Sequence, residues 1–160
     1  MATANSHLST YDENLVPNGS DFKVHVVVSQ WNSDITKALL KGADETLKSH
    51  GVLEKNITVW EVPGSFELVY GAKKAQAQHP DVVIVIGSII QGETRHFDFV
   101  CQAVAQGVKD LNIQSEVPVI FCVLTDNTLQ QARDRSGGKH GNKGVEAAVA
   151  ALKMAALSYR

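Results

Sequence analysis

His96 lies where an apolar strand gives way to a helix, flanked by Thr94 and Arg95. Histidine is the side chain most used for proton transfer near neutral pH, so this is the first candidate for general acid–base chemistry. The plainer reading is an exposed histidine at a helix start. The other histidines, His7, His25, His50, His79 and His140, have no metal-ligand spacing, and no metal is expected. The run into His96, Gly87 to Thr94 (GSIIQGET), could offer backbone N–H groups to an anion, as helix N-termini do. It is not a G-x-G-x-x-G fingerprint, and no G-x-x-x-x-G-K-[ST] occurs, so dinucleotide and P-loop readings lose support. Trp31 and Asn32 directly follow a strand, where a ring could stack on a flat heterocycle and an amide could bond its edge. Phe66 and Glu67, after Pro63-Gly64, repeat that pairing of ring and polar group. Arg133 and Arg135 could each give a guanidinium to a phosphate. Phe121, inside a strand, reads first as core. GGKHGNKG (Gly137 to Gly144) has the wrong spacing for a phosphate loop and reads as a tight basic connector.

The elements that must position these residues alternate between β-branched runs and helical periodicity. Lys23 to Ser29 (KVHVVVS) is the first strand, and a helix follows from about Asp34 to His50, with Ile35, Leu39, Ala43 and Leu47 on one stripe and Gly51 as its stop. Ile57 to Val62 is a second strand, after which Ser65 can open a helix reaching about Gln78. Val82 to Ile86 (VVIVI) is apolar throughout, as a central parallel strand covered on both faces should be. Gly87 to Gly92 then turns the chain into a helix from about Thr94 to Asn112, with Phe97, Val100, Cys101, Val104, Val108 and Leu111 on its buried stripe. Val117 to Leu124 is the fourth strand, Thr128 to Arg135 a short helix, and Val145 to Ser158 a long final one. Strands and helices in this order predict a parallel three-layer α/β sheet, and such sheets bind ligands at the carboxyl ends of their strands. Gln30 to Asn32, Pro63 to Glu67, Ser88 to His96 and the chain from Thr125 onward all fall at that edge.

Composition narrows the function classes. The chain has 160 residues, 44% hydrophobic and 20% charged, as expected of one globular domain. Its net charge of -2, with no dense basic block, argues against nucleic acid. Residues 1–21 read as a polar leader, extended or mobile, without the apolar run of a signal peptide, and residues 22–160 as the single domain. No apolar stretch is long enough to predict a membrane span, so a cytoplasmic protein is expected. Cys101 and Cys122 lie inside apolar segments and read as reduced core residues.

Three separated motifs, VPGSFE (Val62 to Glu67), GSIIQGETRHFDFV (Gly87 to Val100) and GGKHGNKG, resemble those of the lumazine synthase family in order and spacing, over about Phe22 to Leu157. The resemblance implies a flavodoxin-like three-layer sandwich, a four-stranded parallel sheet with helices on both faces. It implies an enzyme that condenses 5-amino-6-(D-ribitylamino)uracil with 3,4-dihydroxy-2-butanone 4-phosphate, releasing inorganic phosphate, without cofactor or metal. Matched motif by motif, Trp31 takes the ring-stacking position and Asn32 lies beside it. Ser65, Phe66 and Glu67 line the ribityl pocket, and Ser88, Ile89 and Ile90 read the uracil edge. Glu93, Thr94 and Arg135 hold the sugar phosphate, His96 transfers protons, and Phe121 falls at the position that completes the site from a partner subunit. A homo-oligomer with sites at subunit interfaces follows, as a pentamer or as a 60-subunit icosahedral shell of twelve pentamers, with riboflavin synthase a further candidate partner. The short GGKHGNKG connector resembles that of shell formers, while Pro17 stands in the leader that helps decide between the two. Two positions depart from the family pattern: Trp31 stands where Phe is frequent, and Arg95 where a small polar residue is expected.

A non-catalytic flavin-binding or shell-forming protein of the same fold is the rival reading. It needs the aromatic site but not His96. A receiver domain would need an acidic cluster at the end of the first strand, where Ser29-Gln30-Trp31 offers none.

Overall fold

A computed structural model describes residues 8–159; the start of the leader, residues 1–7, lies outside the described residues. The elements in chain order are β1 (Val24–Ser29), α1 (Ser33–Ser49), β2 (Ile57–Val62), α2 (Leu68–Gln76), β3 (Val82–Ile90), α3 (His96–Gln114), β4 (Val119–Asp126), α4 (Leu129–Arg135), β5 (Ser136–Gly138), β6 (Gly141–Asn142) and α5 (Lys143–Ala155). β1 to β4 form one parallel sheet in the order β2-β1-β3-β4, and β5 and β6 pair antiparallel as a small hairpin.

Alternation along the strands builds the two cores, because successive side chains of a strand leave on opposite faces. Val24, Val26 and Val28 of β1 with Ile84 and Ile86 of β3 meet Leu39, Leu47, Ala148 and Leu152 of α1 and α5. Val27, Val83 and Val85 meet Leu68, Ala72 and Ala75 of α2 and Val104, Val108 and Leu111 of α3. The expected stripe of α1, Ile35, Leu39, Ala43 and Leu47, is buried throughout. The chain is therefore a three-layer, flavodoxin-like α/β sandwich, with β1 and β3 central. Among the described residues no helix is long and apolar enough to cross a membrane.

Three local outcomes differ from the sequence expectation. The segment Gly87 to Ile90, expected to turn, continues β3 in register with Val123 to Asp126 of β4. Pairing to a neighbouring strand satisfies its backbone groups, and that outweighs the turn tendency of Gly and Ser. Ser65 does not cap α2; the helix starts later, with Glu67 at its N-cap and no side-chain cap bond. The first two turns of α3 also depart: Phe97, Val100 and Cys101 are half-buried, while Val104, Val108 and Leu111 are fully packed.

Part of the leader is tied down. A one-turn 3-10 helix spans Glu13–Leu15, Leu8 N donates to the His140 carbonyl at 3.2 Å, and Ser9 Oγ donates to the Asn142 carbonyl at 2.9 Å.

Candidate active site

Beyond the end of β1 the ladder to β2 continues for two residues: Gln30 N donates to Val62 O at 2.8 Å and Trp31 N to Pro63 O at 3.1 Å. These bonds hold the loop after β1 against the loop that carries Ser65, Phe66 and Glu67. Asn32 then turns the chain into α1 from the left-handed region, φ 55 and ψ 48, which Asn tolerates better than most residues. From there its Nδ2 donates to the Ser88 carbonyl at 2.9 Å, tying the start of α1 to β3. On the other side of β3, Gln91 N donates to Asp126 O at 2.9 Å, so strand pairing reaches the turn that opens α3.

Three loops and a helix thus meet at the carboxyl ends of β1, β2 and β3, around a cavity of about 850 Å³. Trp31, Asn32, Ser65, Phe66 and Glu67 line it together with Ser88, Ile89, Ile90, Thr94 and His96. Its volume suits a ligand the size of a heterocycle with a side chain. Gly87 permits the close approach of the α2 loop, since a Cβ there would lie 2.7 Å from Ser65 Oγ and 2.8 Å from Leu68 Cδ1. Ser88 Oγ is buried with no hydrogen-bond partner.

His96 is the first residue of α3 and is exposed; its backbone N–H donates to Thr94 Oγ1 at 3.4 Å. Arg95 beside it is engaged along its own helix, 3.8 Å from Asp98 and with its guanidinium 5.8 Å from the centre of the Phe99 ring.

Four sequence candidates, Glu93, Phe121, Arg135 and, on α4, Arg133, are not in this lining. Glu93 lies in the same turn, exposed, between lining residues Gly92 and Thr94. Phe121 is half-buried on β4 and packs against the α2–α3 core. Arg135 ends α4, where Nη1 donates to the His140 carbonyl at 2.7 Å and Nη2 to Glu146 Oε1 at 2.6 Å. The cavity of one chain therefore brings together Trp31, Phe66, Ser88 to Ile90 and His96, and leaves out Glu93, Phe121 and the arginines.

The wall contributed by α3, Phe97, Phe99, Val100 and Ala103, was not anticipated. Apolar residues at helical spacing look the same whether they face a core or a cavity. The one available signal was their place in the first two turns of a helix that starts at the site.

The family model described as 6,7-dimethyl-8-ribityllumazine synthase matches residues 21–159. The chain is 61% identical over 158 residues to the protein of that name from Flavobacterium psychrophilum, covering 98% of this chain and 84% of that one. It is 62% identical over 156 residues to the one from Flavobacterium johnsoniae, with 97% and 82% covered. To the one from Christiangramia forsetii it is 57% identical over 159 residues, with 98% and 95% covered.

Proposed function

The chain belongs to the 6,7-dimethyl-8-ribityllumazine synthase family, and on that footing we propose how its residues divide the work. The reaction is a transfer step of riboflavin biosynthesis. The 5-amino group of 5-amino-6-(D-ribitylamino)uracil attacks the ketone of 3,4-dihydroxy-2-butanone 4-phosphate, and an imine forms with loss of water. Phosphate leaves, and ring closure with loss of a second water gives the lumazine. Such chemistry consists of proton transfers between two substrates held in register, so positioning supplies much of the rate.

In this reading the pyrimidine stacks on Trp31, beside Asn32, and its edge meets the backbone of Ser88 to Ile90. The ribityl chain runs past Ser65, Phe66 and Glu67. Thr94, with Glu93 in the same turn, and Arg135 hold the phosphate side, and His96 moves the protons. One observation carries the reading: a single cavity is lined by Trp31, Asn32, Ser65 to Glu67, Ser88 to Ile90, Thr94 and His96, which come from three stretches far apart in sequence.

Arg135 and Phe121 lie outside that cavity in their own chain, which supports a site completed by a second copy. Large apolar side chains around the opening support the same conclusion: Trp31 is 71% exposed, Phe66 59% and Phe99 62%. A homopentamer with sites at its interfaces fits these facts, with the 60-subunit shell as its further assembly and riboflavin synthase as a partner of the assembly. The short β5–β6 hairpin at the GGKHGNKG connector is the feature that favours the shell. A cytoplasmic setting with reduced cysteines belongs to the same reading.

The test is formation of the lumazine product, followed by absorbance, when the purified protein meets both substrates. Wild type is expected to turn over, and His96→Ala to lose roughly a hundredfold or more, the usual share of a positioned acid–base group. A wild type that binds riboflavin but makes no product would leave the flavin-binding reading in its place.

A further inference from the structure

Arg135 is held, and what holds it has a second cation on its other oxygen. Glu146, in the first turn of α5, accepts from Arg135 Nη2 through Oε1 at 2.6 Å and from Lys143 Nζ through Oε2 at 3.2 Å. None of the three side chains is free in solvent: Arg135 is 15% exposed, Glu146 21% and Lys143 26%. The His140 carbonyl fixes Nη1 of the same guanidinium at 2.7 Å. Both terminal nitrogens of the arginine are thus anchored, and its remaining N–H groups keep a set direction. Asp126 faces Arg135 from the end of β4. Burial pushes its carboxyl above the usual range, and the Arg135 charge pulls it down.

We propose that Glu146 is a positioning residue for the reaction, fixing Arg135 and Lys143 on one carboxylate so that the phosphate ester meets an aimed guanidinium with a second cation beside it. The proposal rests on the reading of Arg135 as the phosphate-binding arginine. Two cations share one carboxylate there, so N–H groups of both stay available to an incoming phosphate. The carboxylate also offsets the cost of holding two cations together in a half-buried place.

Charge and position make opposite predictions, which is what makes the role testable. If Glu146 acted only as a nearby negative charge, Glu146→Gln would tighten phosphate binding, because it removes repulsion. A positioning role gives the reverse. The neutral amide cannot hold both cations, Arg135 loses its fixed direction, and phosphate binding weakens.

The experiment is steady-state kinetics of the assembled protein, with inorganic phosphate as a competing probe. Glu146→Gln is expected to raise KM for the butanone phosphate about tenfold and to weaken inhibition by inorganic phosphate to a similar degree, with kcat changed less than about threefold and KM for the pyrimidine unmoved. Glu146→Asp, which keeps the charge but is shorter, is expected to shift the same parameters in the same direction by less. It decides the matter if the amide variant does not assemble. Unchanged or tighter phosphate binding in an assembled variant overturns the proposal. Arg135→Ala serves as the separate control. If it raises the phosphate KM while Glu146→Gln and Glu146→Asp do not, only the role of Glu146 falls; if Arg135→Ala leaves that KM unchanged, the reading of Arg135 falls too.

Discussion

Asp126 ends β4 with Oδ2 buried and without a hydrogen-bond partner. Burial raises its pKa, with Arg135 pulling the other way. A carboxyl whose folded pKa lies above its unfolded one binds protons more readily in the native state, so ionising it costs stability as pH rises through the raised value. Above the raised value that cost is fully present; below the unfolded value of about 3.9 it is absent. Asp126→Asn is therefore expected to melt at a higher temperature than wild type near neutral pH, with the gap narrowing as pH falls into the carboxylate range. A gap that widened toward acid pH would show the Arg135 attraction outweighing burial. At this scale the sequence was most informative where a residue type is unusual for its place. Trp31 and Asn32 after a strand, and His96 at a helix start, all line the cavity. It said least about Arg135, because no single sequence shows that Glu146 and a carbonyl of the hairpin hold its guanidinium.

Periodicity made the elements legible, since the repeats of two and of about four follow directly from strand and helix geometry. Their ends were less so. β3 runs on to Ile90 because β4 pairs with it there, and a neighbouring strand is not visible in a local window. The crossing of α1 and α5 was hidden for the same reason. Gly144 sits so close to α1 that a Cβ would collide with the Leu39 carbonyl, and Asn142 Nδ2 donates to the Ala38 carbonyl at 2.9 Å while its Oδ1 accepts from Gly144 N at 2.8 Å. Backbone against backbone cannot yield as a flexible side chain would. Gly144→Ala is expected to cost about 2–3 kcal/mol, read as a lower urea midpoint at fixed protein concentration. Gly92→Ala, where a Cβ would meet nothing within 4 Å, serves as the control and is expected to unfold like wild type.

For the molecule as a whole, the sequence carried the layer order and the sheet edge where the cavity lies, because both follow from alternation of strands and helices. What one chain contributes to a neighbour's site is a property of the assembly; the family resemblance raised it at Phe121, and the placement of Phe121 and Arg135 away from the cavity supports it. If the site is shared, the two halves can come from different chains. Subunits carrying His96→Ala mixed with subunits carrying Arg135→Ala, each impaired alone, are expected to regain part of the lost turnover after co-expression. Hybrids that stay inactive while the wild type works would mean that both residues must come from one chain.

The α1–α5 contact also bears on how the protein is made. The apolar stripe of α1 is complete by residue 47, yet α5, which covers much of it, spans Lys143–Ala155. During translation at about 5–20 residues per second, that face of the nascent chain stays uncovered until α5 emerges from the ribosome. Chaperone contact during synthesis should therefore concentrate on α1 and the β1–β3 surface beneath it, and slowing the final stretch of translation should lengthen that exposure.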